Sequence, residues 1–187
     1  MKSPVLEELK VASTTECLGE VRDLYGSAFP KEEQLPWDDL LRLTDAMPLD
    51  FTVYYDVDTF VGFTIVLSKD NYNWLWYFAV NERLRGKGYG QKILAHIIEQ
   101  YQGKRLILDM ESIRQECDNL EQRVRRRDFY LRNGFRDTET EKTFEGVTYT
   151  ILMKGEGTFT SMDYDNIIAE LRKFWEVPTE ENKGKEG

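Results

Sequence analysis

The sequence predicts a mixed α/β (α+β) domain on a mostly antiparallel central sheet of about seven strands. Three observations predict it. Three β-rich runs follow one another between residues 51 and 80, joined by turn-forming residues. A basic, glycine-punctuated turn then joins a strand to an amphipathic helix and a short apolar strand, which is a strand–helix–strand crossover. Two further β-rich runs flank Glu145-Gly146 as a closing hairpin.

The elements follow in order. Val5 to Ala12 reads as a first strand. Ser13-Thr14-Thr15-Glu16 has the pattern of a capping box. The helix expected after it carries Leu18, Val21, Leu24 and Tyr25 on an apolar stripe. A loop with Glu32 and Glu33 precedes Pro36, which suits a first helical turn, and Leu40, Leu41 and Leu43 continue a short second helix. Phe51 to Val57 and Phe60 to Ser68 are strands around the turn Asp56-Val57-Asp58-Thr59. Trp74 to Val80 follows the turn Lys69 to Asn73. From Gly90 a helix places Ile93, Leu94, Ile97, Ile98 and Tyr101 on one face, and Gly103 stops it. Leu106 to Met110 is a buried strand parallel to the previous one. A helix from Asp118 or Asn119 runs to Arg132 and ends at Asn133-Gly134. Its apolar stripe is read as Leu120, Val124 and Leu131. Phe135 to Phe144 and Val147 to Met153 form the closing hairpin. A last helix near Asp163 to Glu176 carries Ile167, Ile168, Leu171, Phe174 and Trp175 on one side. That stripe is expected to pack on its own domain, with pairing of two copies as a homodimer the other reading.

Composition narrows the function. The chain has 187 residues, of which 41% are apolar, enough for a core without staples. The formal net charge of −9 argues against general nucleic-acid binding and favours a cationic substrate. Cys17 and Cys117 match no metal spacing, and no apolar run approaches membrane-spanning length. A cytoplasmic setting is expected, with no metal and no membrane partner.

The most informative stretch is Arg85-Gly86-Lys87-Gly88-Tyr89-Gly90, between the apolar run Trp74–Val80 and a helix start. Glycines let the backbone bend and let a ligand approach the N–H groups. The first N–H groups of a helix have no partner inside it and sit at the positive end of the macrodipole. Such a turn is an anion site suited to phosphate, and Arg85 and Lys87 add full charge.

The segment Phe78-Ala79-Val80-Asn81-Glu82-Arg83-Leu84-Arg85-Gly86-Lys87-Gly88-Tyr89-Gly90 resembles the GCN5-related N-acetyltransferase (GNAT) superfamily. It holds that family's [Arg/Gln]-x-x-Gly-x-[Gly/Ala] pattern as Arg85, Gly88 and Gly90. Phe129-Tyr130-Leu131-Arg132-Asn133-Gly134-Phe135 resembles the family's aromatic-Tyr-x-x-x-Gly-Phe signature. The resemblance implies a sheet splayed between its fourth and fifth strands, with helices on both faces, and acetyl-coenzyme A as donor. It implies that Phe78, Ala79 and Val80 pair with the pantetheine arm and that Gly86, Lys87, Gly88, Tyr89, Gly90 and Gln91, with Arg85, cradle the pyrophosphate. It also makes Tyr130 the expected general acid. Under this reading residues 1–157 form the acetyltransferase domain, 158–177 an appended amphipathic helix, and 178–187 a disordered tail.

Two departures stand out. The family often has a glutamate on the fourth strand, where this chain has Trp76, and an asparagine seven residues before the tyrosine, where it has Arg123. Glu111 is the expected stand-in for the missing base, with Asp109, Glu33 and a water chain also open. Arg123, Arg126, Arg127 and Tyr130 fall at i, i+3, i+4 and i+7, and Arg126 is the arginine expected to meet cofactor phosphate. The single histidine, His96, is expected to be structural. Phe29 to Trp37, the second helix and the turn at Asp70–Asn73 are the expected acceptor walls. Trp37, Trp74, Trp76, Glu32, Glu33, Asp38 and Asp39 would favour a cation there. The expected reaction is acetyl transfer from acetyl-coenzyme A directly to a primary amine, with a small cationic molecule as the first candidate. Protein or peptide acetylation, and a non-catalytic acyl-coenzyme A sensor, are the alternatives.

Overall fold

Seven strands build one sheet among the described residues: β1 (Glu7–Lys10), β2 (Leu49–Asp56), β3 (Thr59–Ser68), β4 (Tyr72–Val80), β5 (Arg105–Glu111), β6 (Arg136–Phe144) and β7 (Val147–Lys154). The computed structural model describes residues 6–12, 14–16 and 18–176, the last two by backbone alone. Val5, Ser13, Cys17 and the tail expected at 178–187 lie outside the described residues. The strand order is β1-β2-β3-β4-β5-β7-β6. All neighbours are antiparallel except β4 and β5. Both edges are charged: β1 is only Glu7-Glu8-Leu9-Lys10, and the pairing of β6 with β7 breaks between Asp137 and Glu141.

The helices are α1 (Gly19–Ala28), α2 (Trp37–Ala46), α3 (Tyr89–Gln100), α4 (Leu120–Arg132) and α5 (Ser161–Glu176). They cover both faces of the sheet. Val21, Leu24, Leu40, Leu43, Ile167 and Leu171 from α1, α2 and α5 pack against Phe51, Phe63, Ile65 and Trp74. Ile93, Leu94 and Ile97 of α3 and Tyr130 of α4 pack against Val61, Val66, Leu75 and Leu108 on the other face. Each such side chain contributes roughly 1.5–3 kcal/mol by leaving water. Helix α5 therefore lies on its own sheet, as the stripe at Ile167 and Leu171 requires.

The structure departs from the local expectations at two helices. The N-cap of α1 is Leu18, with no side-chain bond, and Thr15 of the expected capping box accepts instead from the Ala12 N–H at 2.8 Å. On α4, Leu120 and Val124 are exposed and Arg123 is buried. The core-facing position is taken by a charge because that charge is fully partnered. Arg123 donates to Asn119 Oδ1 (2.9 Å), to the Ser112 carbonyl (3.0 Å) and to Glu111 Oε1 (3.1 Å). Bonds from all three guanidinium nitrogens offset the cost of burying the ion there.

Strand β4 carries the irregularity that matters most. Val66 pairs with Leu75 and Ile65 with Tyr77, so Trp76 is an extra residue, a β-bulge. After it, Gly62 pairs with Val80. A side chain at Gly62 would place its Cβ 2.2 Å from the Ala79 carbonyl oxygen, so the end of β4 lies closer to β3 than any other residue would permit. Gly62→Ala is expected to destabilise the protein by about 1–3 kcal/mol, as overpacking does. Urea unfolding will measure it as a lower midpoint with an unchanged slope.

Candidate active site

Strands β4 and β5 pair only from Tyr72↔Arg105 to Trp74↔Ile107. Beyond that point β4 runs on to Val80 beside β3, and β5 runs on to Glu111 beside β7. The two strands part, and the β5-facing backbone groups from Leu75 to Val80 have no strand partner. Unpaired main-chain donors and acceptors in a slot invite an extended ligand, because each is costly to leave unmet. The bulge at Trp76 falls where the slot opens. Phe78, Ala79 and Val80 form its β4 side.

The open end of the slot meets the glycine turn. Gly86 (φ +77°) and Gly88 (φ +84°) adopt left-handed conformations that side chains disfavour, and open space surrounds both. Gly88 is the N-cap of α3 and no side chain caps that helix, so its first N–H groups remain available. Gly90 serves packing: a Cβ there would stand 3.7 Å from Val80 Cγ2 and 4.0 Å from the rings of Phe78 and Phe129. Arg85 approaches Glu82 at 3.4 Å and remains half exposed. Tyr89 donates to Asp56 Oδ2 at 2.6 Å, which fixes the turn to the β2–β3 hairpin. Gln91 and Asn133 exchange amide bonds at 2.5 and 3.1 Å, joining the start of α3 to the end of α4. An open, uncapped, cationic helix start beside a slot of unpaired backbone fits a pyrophosphate with a pantetheine arm.

At the other end of the slot titratable groups converge. Tyr130 of α4 is buried, between Phe129 (ring centroids 5.3 Å) and Phe135 (5.6 Å). Burial pushes its phenol up to about 12; nearby Arg126 opposes this and Asp109 adds to it. Its hydroxyl makes no hydrogen bond among the described residues. Glu33, from the 3₁₀ turn Lys31–Glu33, accepts from the Tyr149 hydroxyl at 2.5 Å, and its main-chain carbonyl accepts from Tyr77. Burial raises the Glu33 carboxyl above its usual range; the Tyr149 bond and Arg126 lower it, Asp109 and Glu111 raise it. Asp109 accepts from Trp74 Nε1 at 2.8 Å and from the Tyr164 hydroxyl at 3.4 Å. Desolvation raises its pKa, against the hydrogen bonds from Trp74 and Tyr164. No group of His, Cys, Asp and Glu among the described residues is arranged to hold a metal ion.

The residues named from sequence thus fall into two groups. Arg85 to Gln91 and Phe78 to Val80 line the turn and the slot. Tyr130, Glu111 and Arg126 gather at the mouth. There Glu111 is held by Arg123 at 3.1 Å and Arg126 at 3.5 Å, which leaves Glu33 and Asp109 as the carboxylates with no cation bound to them. Arg126 therefore stands on Glu111, facing Glu33 and Tyr130. Arg127 lies 3.6 Å from Asp137. His96 sits against Glu8 (2.6 Å) and the Tyr54 ring (6.2 Å). Of the expected acceptor walls, Trp74 and Trp76 stack at 5.1 Å beside Asp109. The Asp70–Asn73 turn lies at the closed end of the slot, next to the Tyr72↔Arg105 pair. Tyr149, Tyr77 and Tyr164 carry no signal in the sequence. Tyrosines at alternate positions of a strand read as core, and Tyr149 and Tyr164 meet the site only through the fold.

Slot, cradle and mouth together define an acyl-coenzyme-dependent acetyltransferase domain. A family model described as an acetyltransferase (GNAT) domain matches residues 48–137, from the start of β2 into β6. Residues 48–137 thus carry a GNAT acetyltransferase domain, a fold that draws its acetyl group from acetyl-coenzyme A. A solved GNAT-family protein from Bacteroides thetaiotaomicron is 25% identical with a TM-score of 0.71, over 88% of this chain and 95% of that one. A GNAT acetyltransferase from Elizabethkingia anophelis, solved with acetyl-coenzyme A bound, is 14% identical with a TM-score of 0.56, over 81% and 98%. The ribosomal-protein-S18-alanine N-acetyltransferase of Escherichia coli is 16% identical with a TM-score of 0.59, over 83% and 99%. No curated protein matches the sequence. No helix among the described residues is long and apolar enough to cross a membrane.

Two outcomes follow from this geometry. Gly88→Ala forces a side chain into left-handed backbone at a cost of about 1–2 kcal/mol. Calorimetry is expected to show weakened acetyl-coenzyme A binding, whereas Gly90→Ala, which meets only ordinary contacts, leaves binding and stability near wild type. The raised pKa of Asp109 means that the folded state holds its proton more tightly than the unfolded one, whose value is near 3.8. Its charge therefore costs stability at neutral pH, and the cost disappears as pH falls through the raised folded value. Asp109→Asn keeps an acceptor for Trp74 and is expected to raise the melting temperature at pH 7, with the gain vanishing in acid.

Proposed function

We propose that the chain transfers the acetyl group of acetyl-coenzyme A directly to a primary amine on a small cationic molecule. The observation that carries this reading is the mouth of the slot, where Glu33 and Asp109, neither with a bound cation, act on each other and Asp109 acts on Tyr130. A negative, partly desolvated mouth attracts an ammonium, and the chain's net charge of −9 acts in the same direction. Docking a cation there also relieves the desolvation that burdens both carboxylates.

Acetyl-coenzyme A supplies a thioester, whose acyl carbon the amine attacks and whose sulfur leaves. The chain's residues supply position and proton transfers. Backbone groups of Phe78, Ala79 and Val80 hold the arm in the slot, and Gly86 to Gln91 with Arg85 and Lys87 hold the phosphates. An alkyl ammonium has a pKa near 10, so it must lose a proton before it attacks. Glu33 takes that proton; its raised pKa narrows the gap to the amine. Tyr130, protonated at neutral pH because burial pushes it up to about 12, gives its proton to the sulfur as the C–S bond breaks. Glu111 acts indirectly here: it holds Arg126 beside Tyr130, and Arg126 moderates both Tyr130 and Glu33.

Thiol release from acetyl-coenzyme A, measured against amines and peptides, tests the reading. Small cationic amines are expected to turn over fastest; a preference for peptides would overturn it. Glu33→Gln is expected to lower kcat about 10²-fold or more. It should also remove the rise of rate with pH through the Glu33 carboxyl, a rise centred above 4.5 in wild type. Tyr130→Phe is expected to cost about 10²-fold at most, because a thiolate leaves with little help.

A further inference from the structure

Helix α5 lies outside the segment that matches the family model, yet one of its side chains reaches the mouth. The Tyr164 hydroxyl is 3.4 Å from Asp109 Oδ2, while Trp74 Nε1 holds Oδ1 at 2.8 Å. The Tyr164 ring stands edge-on to Trp74 at 6.3 Å, and Trp74 stacks at 5.1 Å on Trp76, the bulged residue where the slot opens. Asp109 is thus clamped from both oxygens, by a strand on one side and by α5 on the other. The helix itself is fixed. Ile167 and Leu171 are buried in the core, Lys69 pairs with Glu170, and Lys142 pairs with Asp165 at 2.7 Å. At its start Asp163 accepts from the Thr160 N–H at 2.7 Å. Such anchoring gives Tyr164 one position, and with it one orientation for the carboxylate.

We propose that Tyr164 is a positioning residue for acceptor recognition: it orients Asp109 toward the ammonium of the incoming amine. The proposal rests on the amine-acetyltransferase reading and adds the C-terminal helix to it. A carboxylate with one free rotation about its Cβ–Cγ bond can present either oxygen to solvent. With Trp74 on Oδ1 and Tyr164 on Oδ2, its remaining lone pairs face one direction. Loss of the Tyr164 hydroxyl frees that rotation without removing the charge, so acceptor binding weakens and the chemical step does not. The donor's slot and cradle are untouched, because Tyr164 contacts neither Phe78–Val80 nor the Arg85–Gln91 turn.

Steady-state kinetics on the full chain test this, with acetyl-coenzyme A and the primary amine of highest turnover in the panel. Tyr164→Phe is expected to raise the acceptor KM about fivefold, the worth of one hydrogen bond of about 1 kcal/mol. Its kcat, its KM for acetyl-coenzyme A and its unfolding midpoint should stay near wild type. In an Asp109→Asn background the same change should add nothing, because its effect runs through the carboxylate. An unchanged acceptor KM in Tyr164→Phe, a full additional penalty in the Asp109→Asn background, or a shift in the acetyl-coenzyme A KM would each overturn the proposal while wild-type turnover stands. Absence of turnover with every amine would overturn the amine reading itself.

Discussion

Everything at this site depends on where β4 and β5 stop pairing. Three register pairs hold them together, and then a single extra residue, Trp76, puts β4 out of step. Gly62 lets the end of β4 lean onto β3, and β5 follows β7 instead. A continuous ladder would satisfy all these backbone groups and leave no slot. The broken ladder leaves a row of donors and acceptors between two walls, with an uncapped helix start at one end and carboxylates at the other. The same break gives the proposed donor a direction, with phosphates toward Gly88 and reactive end toward Tyr130.

The electrostatics of the mouth come from a division among carboxylates. Helix α4 brings two arginines toward it, and in an acidic protein these could neutralise the site. Glu111 takes both: Arg123 at 3.1 Å and Arg126 at 3.5 Å. Glu33 is left with a tyrosine partner, Tyr149, and Asp109 with Trp74 and Tyr164. Neutral partners stabilise a carboxylate without cancelling its charge. Burial then raises both pKa values, and this combination suits proton acceptance and cation binding better than an ion pair does.

Much of this is legible in the residues and some is not, for identifiable reasons. The turn at Arg85–Gly90 is readable because its glycines answer to the backbone: two have positive φ and one faces Val80, Phe78 and Phe129. The stripes of α1 and α3 are readable because nothing competes with apolar burial there. The stripe of α4 misleads because Arg123 finds partners beyond its own helical face, on β5 and the loops around it. The bulge at Trp76 leaves no mark, since Trp74 and Trp76 fit plain alternation. The pair Glu33–Tyr149 spans 116 residues, and no local pattern reports such a contact.

The two ends of the sheet have a consequence for behaviour in concentrated solution. A free sheet edge is a template on which another chain can grow. Here β1 offers four residues, three of them charged, and β6 offers the run Arg136-Asp137-Thr138-Glu139-Thr140-Glu141-Lys142 with its register broken midway and Glu139 at φ +61°. Neither edge is flat, long or apolar enough to accept a foreign strand. Strand-by-strand addition is disfavoured at both margins, so among the described residues the broken ladder at the centre of the sheet is where an extended molecule finds backbone to pair with.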